Sequence, residues 1–183
     1  MSKVERKILI SFSCILGGVL VFVCLYLAYF WVKYPLNYRD SINFYAQKYN
    51  IEPELIASVI NAESSFDKDA LSNKGAVGLM QIMPTTAIFV SDMLGENLDA
   101  KMLTQSDVNI KLGTKYLNYL QNKFQDEKVV LACYNAGEGV VSKWLADKRY
   151  SQDGKTLDFV PYKETREYIE KVQKGKEIYK SKL

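Results

Sequence analysis

The sequence predicts an all-α domain that follows one N-terminal transmembrane helix, and three observations support this prediction. The 25 residues 8–32 contain no Asp, Glu, Lys or Arg. Apolar residues in the rest of the chain recur at helical spacing, with Pro and Gly where helices begin and end. The 183 residues, of which 48% are hydrophobic and 25% charged, suit one ordered domain plus an extra segment.

Segment 8–32 is long enough to cross a bilayer as a helix. At 1.5 Å per residue it reaches about 37 Å, against a hydrocarbon core of about 30 Å. Aromatic residues crowd its C-terminal end, as at a membrane interface: Tyr26, Tyr29, Phe30 and Trp31. A cleaved signal peptide would have a shorter apolar region, of about 7–15 residues, ending in small residues. A lipoprotein signal is not indicated either, because Cys24 follows Val23 and not a small residue.

Basic residues flank this segment, with a small excess on the N-terminal side: Lys3, Arg6 and Lys7 before it, Lys33 and Arg39 after it. Positive charge favours the cytoplasmic side, so we expect the N-terminus in the cytoplasm. The predicted order is therefore a cytoplasmic tail (1–7), a transmembrane helix (8–32), a linker (33–40) and an extracytoplasmic domain (41–183).

Charge and composition exclude several classes of function. The first 33 residues hold four of the 24 basic and one of the 21 acidic residues, which leaves 20 of each in residues 34–183. A neutral exterior domain has no basic surface for nucleic acid. The chain has no His, which excludes a His-ligated zinc site, a Ser-His triad and a Cys-His nucleophile. Its three cysteines show no CxxC spacing, so neither a disulfide framework nor a four-thiolate site is expected.

Helices are predicted throughout the exterior domain from Pro53, Pro84, Gly95 and Gly137 as start and stop signals and from apolar periodicity. Residues 67–83, with Gly75 and Gly78, are predicted as a loop or short hairpin. The predicted helices are Ser41–Tyr49, Pro53–Ser64, one from Pro84 to near Gly95, Asp107–Phe124, Glu127–Ala136, Val140–Ala146 and one from about Tyr162 onward.

Glu63 interrupts the apolar face of the second of these helices. With Leu55 at 0° and about 100° per residue, Ile60 lies at about 140° and Glu63 at about 80°, within the apolar arc. The opposite side carries Glu54, Ser58, Asn61 and Ser64. Desolvation and the negative end of the helix both favour a neutral carboxyl, and a raised pKa suits a general acid. The structural alternative is a buried Glu neutralised by an arginine such as Arg166.

Four segments resemble motifs of the soluble lytic transglycosylase (SLT) domain family, in the family's order. They are residues 62–66 (AESSF), 75–84 (GAVGLMQIMP), 132–137 (ACYNAG) and 161–168 (PYKETREY). The resemblance covers about residues 40–180. One departure is Cys133, where the family usually has a small residue such as Ala; a buried thiol fits such a position.

This resemblance implies a goose-lysozyme-like helical fold and an activity on peptidoglycan. The family cleaves the β-1,4 bond between N-acetylmuramic acid (MurNAc) and N-acetylglucosamine (GlcNAc). The muramyl 6-hydroxyl attacks its own anomeric carbon and leaves a 1,6-anhydro end. Glu63 would be the sole acid/base, because the neighbouring acetamido group can replace a second carboxylate. Asp67 and Asp69, the nearest other acids, are interpreted as loop residues.

The resemblance also implies substrate-binding residues: Ser72, Gln81, Met83, Tyr134, Asn135, Glu164 and Tyr168. Ser72 would contact the sugar or the catalytic carboxyl, and Gln81 would supply amide hydrogen bonds to the cleft. Tyr134 would lie beside Glu63, with a hydroxyl able to bond it. Simpler interpretations are that Gln81 binds loop backbone, that Tyr134 is core, and that Glu164 and Arg166 form an ion pair.

Neither a metal nor another cofactor is expected. Residues 67–75 are a poor calcium loop, since Leu71 lies where an EF-hand requires a ligand. The expected partners are peptidoglycan glycan strands and the membrane, without nucleic acid; partners in an envelope machine, cleavage mode, biological setting and oligomeric state are left open. The alternatives are a hydrolytic muramidase on the same fold and a non-catalytic glycan-binding envelope protein.

Overall fold

A computed structural model describes residues 3–97 and 100–183. The chain divides into two units, Met1–Pro35 and Leu36–Leu183. In the described residues the first unit contains the helix α1 (Lys3–Lys33), which begins before the predicted span. Its stretch Ile15–Lys33, with a mean hydropathy of 2.3, is the one described helix segment long and apolar enough to cross a membrane. Met1 and Ser2, the start of the predicted tail, lie outside the described residues.

The second unit is helical, as predicted. Its elements are α2 (Arg39–Tyr49), α3 (Pro53–Ser64), α4 (Pro84–Leu94), a short 3-10 helix (Ala100–Thr104), α5 (Ser106–Phe124), α6 (Glu127–Ala136), α7 (Glu138–Leu145) and α8 (Lys163–Lys180). Local signals account for most ends: Pro53 and Pro84 occupy first turns, and Gly95 closes α4 at a φ of 65°. The 3-10 helix was not predicted, and α7 begins two residues before the predicted Val140.

Helix α3 is the centre of this unit, and every residue from Leu55 to Asn61 is buried. Ser58, on the polar side of the helical wheel, is buried against α8. Ser58 Oγ donates to the Val172 carbonyl at 2.5 Å, and a Cβ on Gly175 would lie 2.3 Å from Ser58 Oγ. The lack of a side chain at Gly175 therefore allows α8 to pack closely along α3.

The segment between α3 and α4 contains isolated bridges and no strand among its residues 65–83. The bridges pair Leu71 with Val77 and Val77 with Ile82. Asn109, fully buried on α5, anchors this loop by hydrogen bonds to its backbone. Its Oδ1 accepts from Met80 N–H at 2.7 Å, and its Nδ2 donates to the carbonyls of Val77 (2.8 Å) and Leu103 (2.9 Å). The α5 helix thus fixes the loop that faces the end of α3.

Candidate active site

A cleft with a volume of about 410 Å³ opens at the C-terminal end of α3. Residues from α3, the 65–83 loop, α4, α5, α6 and α8 line it. All but one of the site residues predicted from the sequence are among them: Glu63, Ser72, Gln81, Met83, Tyr134, Asn135 and Glu164. The exception, Tyr168, is buried on α8 and interacts electrostatically with Glu63.

The Glu63 carboxyl lies on the last turn of α3, where the chain leaves the helix. Ser65 adopts a left-handed conformation there, with a φ of 53°, and its N–H donates to the Asn61 carbonyl. The preceding Ser64 hydroxyl donates to the Leu79 carbonyl at 2.8 Å, which joins the helix end to the loop. Glu63 is consequently held between α3 and the loop, with its carboxyl in the cleft.

Burial raises the pKa of Glu63 from 4.5 to about 7. Tyr168 and the Lys171 cation oppose this effect and lower the pKa, whereas the Glu164 carboxylate raises it further. Near neutral pH the carboxyl is therefore partly protonated. A group in that state can donate a proton and then accept one, as general acid–base catalysis requires.

Two tyrosines flank the Glu63 carboxyl, the half-buried Tyr134 from α6 and the buried Tyr168 from α8. Desolvation raises the pKa of both phenols, and the Glu63 charge raises it further. The Tyr134 hydroxyl donates to the Met80 carbonyl at 3.0 Å, so the expected hydrogen bond to the carboxyl is replaced by one to the loop. The Tyr168 hydroxyl lies close enough to Glu63 to lower the pKa of its carboxyl. It makes no hydrogen bond of regular geometry with the described residues.

Arg166 is not the counter-ion of Glu63, which contradicts the structural alternative raised from the sequence. Its guanidinium donates to the carbonyls of Val160 (2.6 Å) and Pro161 (3.0 Å) and lies over the Phe159 ring. Arg166 thus fixes the segment before α8. The expected alternative pairing with Glu164 is also not formed among the described residues, and Glu164 is exposed at the cleft.

The cation near Glu63 is instead Lys171, which the sequence analysis did not single out. Its ammonium donates to the Ala62 carbonyl at 2.7 Å, at the C-terminal end of α3, where a positive charge is favourable. Glu164, Tyr168 and Lys171 follow each other at i, i+4 and i+7, which places them on one face of α8. That spacing was the signal available in the sequence.

The loop residues Gln81 and Ser72 have structural roles as well as positions in the cleft. Gln81, at a φ of 48°, donates from Nε2 to the carbonyls of Ala70 (3.1 Å) and Gly78 (2.9 Å). The interpretation that Gln81 binds loop backbone is therefore correct for its Nε2. Ser72 Oγ accepts from Ala76 N–H at 2.9 Å and closes the turn that carries Gly75.

Other residues line the cleft as well. Tyr116 on α5 has its ring 5.5 Å from the Tyr134 ring, and burial raises its pKa to about 12. Lys74 and Thr86 also line the cleft and had no signal in the sequence. Asp67 and Asp69 are exposed and bond within the loop, as predicted.

Comparison with known proteins gives consistent results. The family model described as "Transglycosylase SLT domain" matches residues 40–157. A soluble lytic murein transglycosylase of Salmonella typhimurium is 32% identical over 144 residues, which is 76% of this chain and 22% of that protein. A membrane-bound lytic murein transglycosylase C of Haemophilus ducreyi is 32% identical over 166 residues, 78% of this chain and 45% of that protein.

Among solved structures, an inactive mutant of lytic transglycosylase Slt from Pseudomonas aeruginosa superposes with a TM-score of 0.72 at 34% identity. The superposition covers 82% of this chain and 25% of that one. The chain therefore spans between about a fifth and a half of the length of these relatives. The likeness is confined to a domain whose helices form the cleft.

Proposed function

Because the chain belongs to the transglycosylase SLT domain family, we propose that it is a peptidoglycan lytic transglycosylase. The proposed reaction cleaves the β-1,4 bond between MurNAc and GlcNAc and leaves a 1,6-anhydro-MurNAc end. The observation that carries this proposal is Glu63, a carboxyl with a pKa of about 7 in a cleft of about 410 Å³. A glycan-binding module would have no use for a carboxyl held in that state.

Glu63 performs both proton transfers in the proposed reaction. In the first step the protonated carboxyl donates its proton to the glycosidic oxygen, the C1–O bond breaks, and GlcNAc leaves as an alcohol. The acetamido group of MurNAc supports the positive charge that develops at C1. In the second step the Glu63 carboxylate accepts the proton of the 6-hydroxyl as its oxygen bonds to C1. The enzyme returns to its starting protonation state, and no water is consumed.

The remaining site residues are proposed to position the glycan. Gln81 presents its Oε1 atom as an acceptor, since its Nε2 is bound to the loop. Tyr134 and Tyr168 hold the space around the carboxyl, and the Glu164 charge adds a little to the pKa increase that burial causes in Glu63. The other proposed contacts with the sugar come from residues that line the cleft: Ser72, Met83 and Asn135.

Ring closure by the 6-hydroxyl is favoured because it is intramolecular. A well-oriented intramolecular nucleophile can have an effective molarity of about 10⁵ M or more. In the part of the cleft that is described, Glu164 is the other carboxyl, and it lies at the exposed side. Hydrolysis would need a carboxylate on the opposite side of the sugar to activate water, and the motif residues do not supply one there.

The test is digestion of peptidoglycan in ¹⁸O-water by the full chain in detergent, followed by mass spectrometry of the muropeptides. We expect chiefly 1,6-anhydro-MurNAc ends without ¹⁸O. The control is Glu63→Gln, which should release few ends of either kind. Label in most new muramyl ends would identify a hydrolytic muramidase. Equal release by the Glu63→Gln variant would remove Glu63 from the reaction.

We also propose that residues 8–32 anchor the protein, with residues 1–7 in the cytoplasm, 33–40 as linker and 41–183 outside. The apolar stretch Ile15–Lys33 supports the anchor, and the basic N-terminal flank supports the orientation. Protease added to intact, wall-stripped cells should remove the domain. If the domain were protected until the membrane is permeabilised, the orientation would be the opposite of the one proposed.

A further inference from the structure

A row of four aromatic rings leads out of the cleft to the surface of the domain. Tyr134 and Tyr116 line the cleft, and their ring centroids lie 5.5 Å apart. Tyr119 follows, nearly parallel to Tyr116 at 6.2 Å and 13°. Phe89 ends the row, edge-on to Tyr119 at 5.1 Å and 78°.

The two outer rings continue the walls of the cleft. Thr86 on α4 and Tyr116 on α5 both line it. Phe89 and Tyr119 each follow three residues later on the same helix, so each lies on the same face one turn further along. Both helices therefore extend the cleft wall by one turn, and on each helix the extension ends in an aromatic ring.

The outer rings are not core residues. Phe89 is 42% exposed, and Tyr119 is half-buried. Single exposed rings are common on protein surfaces, but two adjacent rings beside a cleft are typical of a ligand-binding surface. The row thus has a half-buried end beside Glu63 and an open end in solvent.

The charged pair Lys123 and Glu138 binds the hydroxyl of Tyr119, which fixes the ring and places polar groups beside it. The Tyr119 hydroxyl donates to Glu138 Oε2 at 2.9 Å and accepts from Lys123 Nζ at 3.3 Å, and Lys123 also binds Glu138. Glu138 directly follows Gly137, which lines the cleft. Because the ring is already held in place, the Tyr119 side chain would lose little conformational entropy when a ligand covers it.

From this arrangement we propose that Phe89 and Tyr119 form a platform for one further sugar ring of the glycan strand, beyond the cleft that contains Glu63. Amino sugars have an apolar C–H face and a polar rim of hydroxyl and acetamido groups. The apolar face would stack on one of the two rings and meet the edge of the other, and the rim would meet Lys123 and Glu138. The inference rests on the proposed function and adds to it a preference for long strands.

The test measures affinity in the Glu63→Gln background, in which the glycan is not cut. The full chain in detergent is titrated with peptide-free GlcNAc–MurNAc oligosaccharides, a tetrasaccharide and an octasaccharide. We expect Phe89→Ala to weaken octasaccharide binding about tenfold and to change tetrasaccharide binding by less than about twofold. Tyr119→Phe, which keeps the ring, should retain most of the affinity for the octasaccharide.

The chain offers a matched control in Phe44→Ala. Phe44 is 58% exposed on α2 and lies edge-on to Tyr45 at 5.0 Å and 83°, the same geometry as Phe89 and Tyr119. It does not line the cleft, so its loss should leave both affinities unchanged. Thermal unfolding of each variant identifies any that has lost its fold.

Several results would overturn the platform. One is unchanged octasaccharide binding by folded Phe89→Ala, and another is an equal loss for both lengths, which would mean that Phe89 acts through the cleft. If Phe89→Ala lost affinity for lipid vesicles and kept its affinity for both oligosaccharides, the exposed rings would contact a membrane and not a sugar. If Glu63→Gln bound neither oligosaccharide, the proposed function itself would fail, and that result is distinct from the others.

Discussion

Glu63→Gln is expected to stabilise the domain above neutral pH, because the native carboxyl is held where its charge is unfavourable. The folded-state pKa is about 7 and the ordinary value is 4.5. Below pH 4.5 the carboxyl is protonated in both states and carries no penalty. As the pH rises towards 7, the unfolded chain loses this proton first, so the folded state becomes less stable. The difference between these two pKa values corresponds to about 3 kcal/mol.

Gln has nearly the same shape and stays neutral, so it avoids this penalty. The variant should therefore be more stable than the native chain by up to about 3 kcal/mol at pH 8, with a difference that falls towards zero by pH 4. The same variant should lose at least about 100-fold in cleavage rate, the usual size of a general-acid contribution. Greater stability and lost activity would then arise from one substitution.

The assay is urea unfolding of the detergent-solubilised chain at a series of pH values, followed by fluorescence of the buried Trp144 in a Trp31→Phe background. Glu167→Gln on the exposed side of α8 is the control, and it should change stability by less than about 0.5 kcal/mol at each pH. A Glu63→Gln variant that is no more stable at pH 8 than at pH 4, relative to the native chain, would refute a raised pKa.

Three further predictions concern the packing of α8, the cation near Glu63 and the anchoring of the 65–83 loop. Gly175→Ala should destabilise the domain by about 1–3 kcal/mol in the same urea assay, since its Cβ would displace Ser58 Oγ, and adding Ser58→Ala should restore most of the loss; no rescue would contradict the close packing. Lys171→Met removes a cation that lowers the pKa of Glu63, so the decline of initial rate with rising pH should move to higher pH, whereas Lys171→Arg should retain the native profile. Asn109→Ala breaks three buried hydrogen bonds and should cost about 3 kcal/mol or more, with increased proteolysis in the 65–83 loop; unchanged cleavage there would argue against its anchoring role.

The sequence predicted those parts of the fold that depend on local signals. Helices α3 and α6 were predicted with their observed ends, because Pro53 begins one and Gly137 stops the other. The 3-10 helix has no such signal and was missed. The burial of Ser58 was missed for another reason: it depends on α8, more than 100 positions later, and helical periodicity describes only one helix at a time.

The candidate site was predicted where motif and helix face agree. Glu63 was singled out because a carboxyl lay on an apolar face, and the structure gives it the raised pKa that this position predicts. The partners of Glu63 were predicted less well. Arg166 was a reasonable counter-ion by charge, but it binds backbone carbonyls, and the nearby cation is Lys171. Which of several lysines and arginines reaches a carboxyl depends on how α8 is rotated, and composition does not contain that information.

The contacts between α3 and α8 also bear on when the protein can act during its synthesis. Ser58 meets Val172, and Lys171 meets Ala62, across separations of 114 and 109 residues. Contacts this distant form only after the intervening chain is available, so they are late events in folding. A ribosome translates Glu63 early, but Tyr168 and Lys171 reach it only once α8 has emerged. A nascent chain therefore carries its acid for most of its synthesis without the surroundings that tune it, and the proposed ability to cut glycan would arrive with the final helix.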